Sequence, residues 1–434
     1  MKKVITYGTY DLLHYGHIRL LERAKKLGDY LIVGVTSDDY DKSRGKINVQ
    51  QSLMERVEAV RATGLADEII IEEYEGQKID DIRRLGIDIF AIGSDWIGKF
   101  DYLREYCEVV YLERTKGVSS TEIRSLKREI RLGLIGDSAF LNKVYRESKF
   151  VNGITVTALL SDNISLIDDD LKNKIVKSYS ELLRVTDCVY IRSLPEKHYE
   201  HILIALESGK HVLCESPITL SLEQANKLYN LANQKGVVLV EAIKTAYSSA
   251  FSRLLLLLKG GKIGKVVSID ATCTSLRKEI TDWPGFYEWA PTAMLPVFEL
   301  LGVYYKSNII TYKDTDGKDL FSRVNFVFEH AMASISVGNG VKSEGELIVS
   351  GTEGYLYVPA PWWKTDYFEI RYEDSSNNKR YFYQLDGEGI RYELVAFAKA
   401  IEKKKNVSLI NEKISLEIVR VCEEFSKHRN VILI

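Results

Sequence analysis

Two histidines, His14 and His17, stand three positions apart in Gly8-Thr-Tyr-Asp-Leu-Leu-His-Tyr-Gly-His17, directly after the apolar run Val4 to Tyr7. An apolar run leading into glycine and then into Ile18, Leu20, Leu21, Ala24 and Leu27 predicts a strand, a tight turn and an amphipathic helix. Such a turn presents backbone N–H groups to an anion. His14 and His17 would share one helical face, from which both imidazoles can donate hydrogen bonds to a phosphoryl group whose charge rises as it is attacked in line. Taken alone, a His-x-x-His pair is equally a pair of packed or surface residues, and no Cys or Glu nearby completes a metal site.

Three more stretches carry suitable groups. Gly93-Ser-Asp-Trp-Ile-Gly-Lys-Phe100 follows the apolar run Ile87 to Ile92. Its Asp95, Trp96 and Lys99 supply an acceptor, a flat apolar face and a cation for a phosphorylated ligand, and Gly93 permits close approach. A solvated loop anchored by tryptophan has the same composition. Arg114-Thr-Lys-Gly-Val-Ser-Ser-Thr-Glu-Ile-Arg124 follows a run ending at Leu112. There Ser119, Ser120 or Thr121 would cap a helix whose free N–H groups, beside Arg114, form an anion site; a plain N-cap looks alike. The basic run Lys42-Ser-Arg-Gly-Lys46 reads by default as a solvated face.

The elements that position these groups alternate. Strands are expected at Tyr30 to Val35, Glu68 to Ile71, Asp88 to Ile92 and Cys107 to Leu112, with a helix at Leu53 to Gly64. That order indicates a parallel, doubly wound sheet that binds ligands beyond the carboxyl ends of its strands.

The segment GTYDLLHYGH closely resembles the nucleotidyltransferase family whose nearest members are the glycerol-3-phosphate cytidylyltransferases. Asp95-Trp-x-Gly-Lys-Phe100 and Arg114-Thr-x-Gly-Val-Ser-Ser-Thr121 resemble two further motifs of that family, with one conservative change at Ser120. The resemblance implies transfer of CMP from CTP to a small alcohol phosphate with Mg²⁺. His14 and His17 would stabilise the developing charge, while Lys46 and Arg114 hold the triphosphate. Nucleotide contacts would come from Gly8, Thr9, Tyr10, Asp11, Gly16, Arg56, Gly93, Arg114, Thr115, Ser119, Ser120 and Thr121. Acceptor contacts would come from Asp11, Asp95, Trp96 and Lys99, and no metal ligand from a protein side chain is expected. Gly64 stands where close relatives carry a second arginine, and Arg61 could substitute for it.

Composition sets bounds. With 434 residues, two or three domains are expected. The 59 basic and 61 acidic residues give a net charge of -2, which argues against a nucleic-acid binder. Five cysteines without Cys-x-x-Cys spacing suggest neither zinc nor disulfides and fit a cytoplasmic protein. No secretory signal is read at the N-terminus, and the five leucines Leu254 to Leu258 suit a buried helix rather than membrane insertion.

A charged helix, Thr121 to Arg131, is expected to run into a second strand-helix alternation beginning at Leu132. Thr186 to Tyr199 and Ala205 to Pro217 resemble the Gfo/Idh/MocA-like NAD(P)-dependent oxidoreductases, and the alternating runs Arg323 to Val337 and Leu347 to Val358 resemble that family's open sheet. The expected chain is α/β throughout. It has a Rossmann-like nucleotidyltransferase domain over 1–128, a second Rossmann-like domain over 129–245, and an α+β domain with an open, largely antiparallel sheet over 246–434.

The chemistry of that second family is eroded. Its Glu-Lys-Pro motif reads Glu215-Ser216-Pro217, the expected proton-exchanging positions fall on Pro296 and Leu300, and Asp137 follows Gly133-Leu-Ile-Gly136 where pyrophosphate should approach. NAD(P) binding is therefore not expected, and this half is expected to act structurally, assembling a homo-oligomer. His198 and His201, also three apart, are read as surface and packing residues by that resemblance. The rival reading is a bifunctional enzyme whose second half makes the polyol phosphate by NAD(P)-dependent reduction.

Overall fold

The computed structural model describes residues 1–434 except 44–48, 75, 114–128, 152, 277–282, 284, 384, 386 and 407–408, together with the side chains of 39, 42 and 43. The chain divides into two compact units, Met1–Arg128 and Glu129–Ile434.

In the first unit five strands, β1 (Lys3–Gly8), β2 (Tyr30–Thr36), β3 (Glu68–Glu72), β4 (Ile89–Gly93) and β5 (Glu108–Leu112), form a sheet ordered β3-β2-β1-β4-β5. Every pairing is parallel. Helices α1 (Tyr15–Lys25), α2 (Asp38–Ser43), α3 (Leu53–Ala62) and α4 (Gln77–Leu85) connect them. The continuous apolar runs of β1 and β2 are buried because helices cover both sheet faces. From β1 the chain first builds outward through β2 and β3, then crosses to β4 on the other side. The crevice of this fold therefore opens at the carboxyl ends of β1 and β4.

The second unit repeats that plan. Strands β6 (Ile130–Ile135), β7 (Ile154–Leu160), β8 (Cys188–Ile191), β9 (His211–Glu215) and β10 (Leu239–Ala242) are ordered β10-β9-β8-β6-β7, all parallel. The helix expected over Thr121 to Arg131 is corrected at its end, because Ile130 and Arg131 already pair in β6 with Ile154 and Thr155. Its earlier residues lie outside the described ones.

A nine-stranded mixed sheet follows, ordered β18-β17-β16-β15-β11-β14-β13-β12-β19, in which only β11–β14 and β12–β19 pair in parallel. Its strands are β11 (Val266–Ser275), β12 (Lys306–Lys313), β13 (Asp319–Val327), β14 (Met332–Asn339), β15 (Leu347–Gly351), β16 (Tyr355–Val358), β17 (Tyr367–Arg371), β18 (Lys379–Phe382) and β19 (Val431–Leu433). The run Arg323 to Val337 is two strands joined by a turn in which Phe328 N–H donates to Ala331 C=O. Nothing in Glu329-His330-Ala331 announces that turn. Leu347 to Val358 likewise folds back on itself at Gly351–Gly354.

Alternation along these strands sorts their residues. Ile269, Ala271, Cys273, Val324, Phe326, Ile335, Leu347 and Val349 face a core that includes the helix Gly285–Leu301. The other alternants include Ser268, Asp270, Thr272, Asn325 and Ser334. The face toward that core is thus occupied within the chain, while the opposite face mixes these polar residues with exposed apolar ones, among them Tyr312, Val327, Met332, Tyr355 and Phe382.

Candidate active site

The first motif is shaped from within. A Cβ at Gly8 would meet the Tyr10 ring at 3.0 Å, because Tyr10, at φ 53°, folds back over it. Tyr10 is 1% exposed and packs edge-on against His17 at 5.5 Å. The Tyr10 ring is therefore part of the core, and the protein's own packing accounts for Gly8.

His14 is the N-cap of α1 rather than a residue of its face: its backbone is extended and its Nδ1 accepts from the Gly16 N–H at 3.0 Å. In a neutral ring that leaves the proton on Nε2. The His17 ring stacks on His14 with centroids 3.9 Å apart and planes 21° apart. The two imidazoles are thus one unit, at the carboxyl end of β1.

Asp11, 4% exposed, accepts at Oδ1 from the N–H groups of Gln50 (3.0 Å) and Gln51 (2.9 Å). Gln51 Oε1 accepts from Leu12 N–H at 2.7 Å, so the segment just after the basic loop is pinned to the first motif. Thr9 donates its hydroxyl to Asp41 at 2.9 Å. Lys46 lies outside the described residues, as do Arg114, Thr115, Ser119, Ser120 and Thr121 of the third motif.

Arg56 is enclosed as well. Its side chain is fully buried and donates to the carbonyls of Thr9 (2.7 Å), Thr36 (2.8 Å) and Gln51 (3.2 Å) and to Asp38, with Asp41 3.6 Å away. Five partners around one guanidinium tie the first motif to the end of β2. An arginine so engaged acts as a buttress between these segments.

The second motif leaves β4 as a short 3-10 turn, Ser94–Trp96, and Gly98 takes φ 84°, where a side chain would be strained. Asp95 and Lys99 are exposed, and Lys99 Nζ stands 5.1 Å from the Trp96 ring centroid. Phe100 packs against Trp96 at 5.8 Å. A Cβ at Gly93 would find its nearest neighbour, Leu20 Cδ1, at 3.9 Å, so the protein itself does not demand glycine there.

Beneath this loop lies a group that sequence reasoning missed. Lys78 and Glu72 form a nearly inaccessible ion pair, Thr36 donates to Glu72 at 2.7 Å, and Lys78 Nζ lies 4.7 Å from the Tyr7 ring and 5.5 Å from the Phe100 ring. Tyr7 donates to Asp81 at 2.8 Å, and burial, then Asp81, pushes its hydroxyl pKa upward. The available signal was the inward stripe Gln77, Lys78, Asp81 and Ile82 on α4, polar residues at helical spacing on the buried face.

The cytidylyltransferase-like family profile matches residues 5–126. Over 124 residues the chain is 54% identical to glycerol-3-phosphate cytidylyltransferase of Bacillus spizizenii, a match spanning 29% of this chain and 95% of that one. This chain belongs to the glycerol-3-phosphate cytidylyltransferase family. The Staphylococcus aureus glycerol-3-phosphate cytidylyltransferase is 48% identical over 128 residues, 29% of this chain and 93% of the relative. The N-terminal unit is accordingly a CTP-using nucleotidyltransferase.

Residues 130–242 match the oxidoreductase family with an NAD-binding Rossmann fold. A 3-ketoreductase of Actinomadura kijaniata, solved with NADP and TDP-benzene, superposes with a TM-score of 0.63 at 20% identity, over 71% of this chain and all of that one. That likeness establishes the fold of the second unit.

Within that fold the residues singled out in the sequence have partners of their own. Ser216 donates to the buried Glu241, which also accepts from Ser415. Asp137 Oδ1 accepts from the N–H groups of Asp162 (2.7 Å) and Asn163 (3.2 Å) and from the Ser161 hydroxyl (3.0 Å), bridging the ends of β6 and β7. Pro296 is buried and Leu300 packs on the core. His198 lies between the carbonyls of Pro217 and Ser193, 2.8 Å from each, and burial lowers its pKa to about 4; His201 pairs with the Ser193 hydroxyl at 2.9 Å.

Proposed function

We propose that residues 1–128 transfer CMP from CTP to glycerol phosphate, releasing pyrophosphate and CDP-glycerol, with His14 and His17 as the catalytic pair. The observation that carries this is the stacked imidazole pair at the switch point of the sheet, held in place by His14 Nδ1 accepting from the Gly16 N–H. Donors fixed before the reaction stabilise charge that grows at the α-phosphoryl group without reorganisation.

The acceptor's phosphate oxygen attacks the α-phosphorus, and no covalent enzyme intermediate is required. Lys46, Arg114, Thr115, Ser119, Ser120 and Thr121 are proposed to hold the triphosphate, with Gly16 and Thr9 lining the turn. Asp95, Trp96 and Lys99 are proposed to take the acceptor. Mg²⁺ entering with CTP would neutralise phosphate charge.

The second unit is proposed not to transfer hydride. In support, Asp137 ties the loop after β7 across the turn where a dinucleotide's phosphates would lie, and the lysine's replacement Ser216 turns toward Glu241. CDP-glycerol would supply a surface polymer such as teichoic acid or capsule. The deciding experiment is pyrophosphate release from CTP across a panel of alcohol phosphates. Turnover with glycerol phosphate is expected, and turnover confined to ethanolamine phosphate or phosphocholine would overturn the acceptor assignment.

A further inference from the structure

In the second unit three lysines from three elements converge on one carboxylate. Lys143 Nζ and Lys364 Nζ stand 3.1 and 2.9 Å from Glu388 Oε1, and Lys244 Nζ stands 3.1 Å from Oε2. Burial alone would raise the Glu388 carboxyl pKa, but the ammonium groups of Lys364, Lys244 and Lys143 overcome it and hold it at about 2.

The backbone delivering that carboxylate is unusual. Gly387, Glu388 and Gly389 have φ of 57°, 55° and 95°, three successive left-handed residues, and Glu388 is the one with a side chain to strain. Glycine is required on either side: a Cβ at 387 would meet Glu147 Oε2 at 2.0 Å, and one at 389 would meet the Lys244 carbonyl at 2.9 Å.

Beside the lysines, the Phe140 ring lies 5.3 Å from Lys244 Nζ and 5.9 Å from Arg192 Cζ. Arg192 stacks on Trp283 at 3.7 Å, and its buried Nη1 has no hydrogen-bond partner among the described residues. Glu215, engaged by the Tyr190 hydroxyl, also acts on Lys244, while Glu393 is pushed by burial toward its neutral form. The four cations thus face the carboxylates of Glu388 and Glu215, while Glu147, against Gly387, is paired with Arg391. The remaining positive charge, with two flat apolar faces and an unused guanidinium donor, suits an organic phosphate better than a further carboxylate.

We infer that Lys143, Lys244, Lys364 and Arg192 form a binding site for a phosphorylated small molecule, in which the strained Glu388 carboxylate stands where the ligand's phosphate binds. A dianionic phosphate with three terminal oxygens would answer the three ammonium groups more fully than one carboxylate, and its entry would release the 387–389 turn. This site lies within the second unit, and the inference is independent of which alcohol phosphate residues 1–128 use.

The test is calorimetric titration of the full-length protein with inorganic phosphate and with glycerol phosphate, in wild type, Glu388→Ala, and Glu388→Ala combined with Lys244→Ala and Lys364→Ala. Pyrophosphate release from CTP serves as the control that residues 1–128 are intact. Glu388→Ala should bind one additional phosphate per chain, at least tenfold tighter than wild type at this cluster, and the triple variant should lose it. A greater gain with glycerol phosphate than with inorganic phosphate would assign the organic part to Phe140 and Trp283; an equal gain would assign the free anion. No gained site, a gained site that survives lysine removal, or a lowered melting temperature without gained phosphate would overturn the inference, the last marking a purely structural clamp. Should Glu388→Ala fail to fold, the wild type decides: phosphate should raise its melting temperature more than that of Lys364→Met, and equal shifts overturn the site.

Discussion

His14 occupies a position where backbone and side chain do different work: its extended backbone starts α1 while Nδ1 accepts from the Gly16 N–H. His14→Ala and His17→Ala should each lower kcat about 10²-fold or more with the fold retained, as expected for groups acting on transition-state charge. Steady-state kinetics with circular dichroism checks this, and near-normal kcat in both variants would refute the assignment. Arg56 makes the opposite case. Removing a fully buried guanidinium leaves three carbonyls and the Asp38 and Asp41 carboxylates without their cation. Arg56→Ala should cost about 3–5 kcal/mol of stability. Denaturant unfolding should show that loss, whereas a loss of CTP affinity at unchanged stability would restore Arg56 to the ligand.

At the scale of elements, the sharpest joint in the second unit is the one linking β9, β10 and the helix Glu412–Ser426 through Ser216, Glu241 and Ser415. Burial raises the Glu241 pKa from 4.5 to about 7 against the opposing hydroxyl hydrogen bonds. A folded-state pKa above the unfolded one means the native state holds the extra proton between those values. Its contribution is therefore fully present below pH 4.5 and is lost as pH rises through about 7. Glu393 is shifted in the same sense. Thermal melts of Glu241→Gln should show a flatter dependence than wild type between pH 5 and 7.5, a range set by about one unit around those values. An unchanged slope would locate the titration elsewhere.

For the whole molecule, the division at Arg128 and Glu129 and the 95% coverage of a free-standing relative predict that residues 1–128 alone retain CTP-dependent transfer. A fragment that folds by circular dichroism yet is inactive would show that the second unit contributes to the reaction. Titration of the full-length protein with NADH and NADPH should give no micromolar binding, and a micromolar Kd by fluorescence or calorimetry would revive the reductase reading.

Local patterning was enough to read both parallel sheets, because a strand buried on both faces is a continuous apolar run and a glycine turn ends it, as at Val4 to Gly8 and Leu132 to Gly136. It was also enough to mark Gly8 to His17 and Gly93 to Phe100, whose residues are neighbours in sequence. The turns at 328–331 and 351–354 were harder, since period-two alternation continues through a hairpin. What side chains touch across the fold was out of reach. Tyr10 and Arg56 read as ligand-facing polar groups, yet the sheet and α3 enclose them. Lys78, Glu241 and Glu388 owe their roles to partners 6 to 245 residues away. Spacing along a chain specifies which face of an element a residue occupies, while only closure of the core determines whether that face meets water, another element or a ligand.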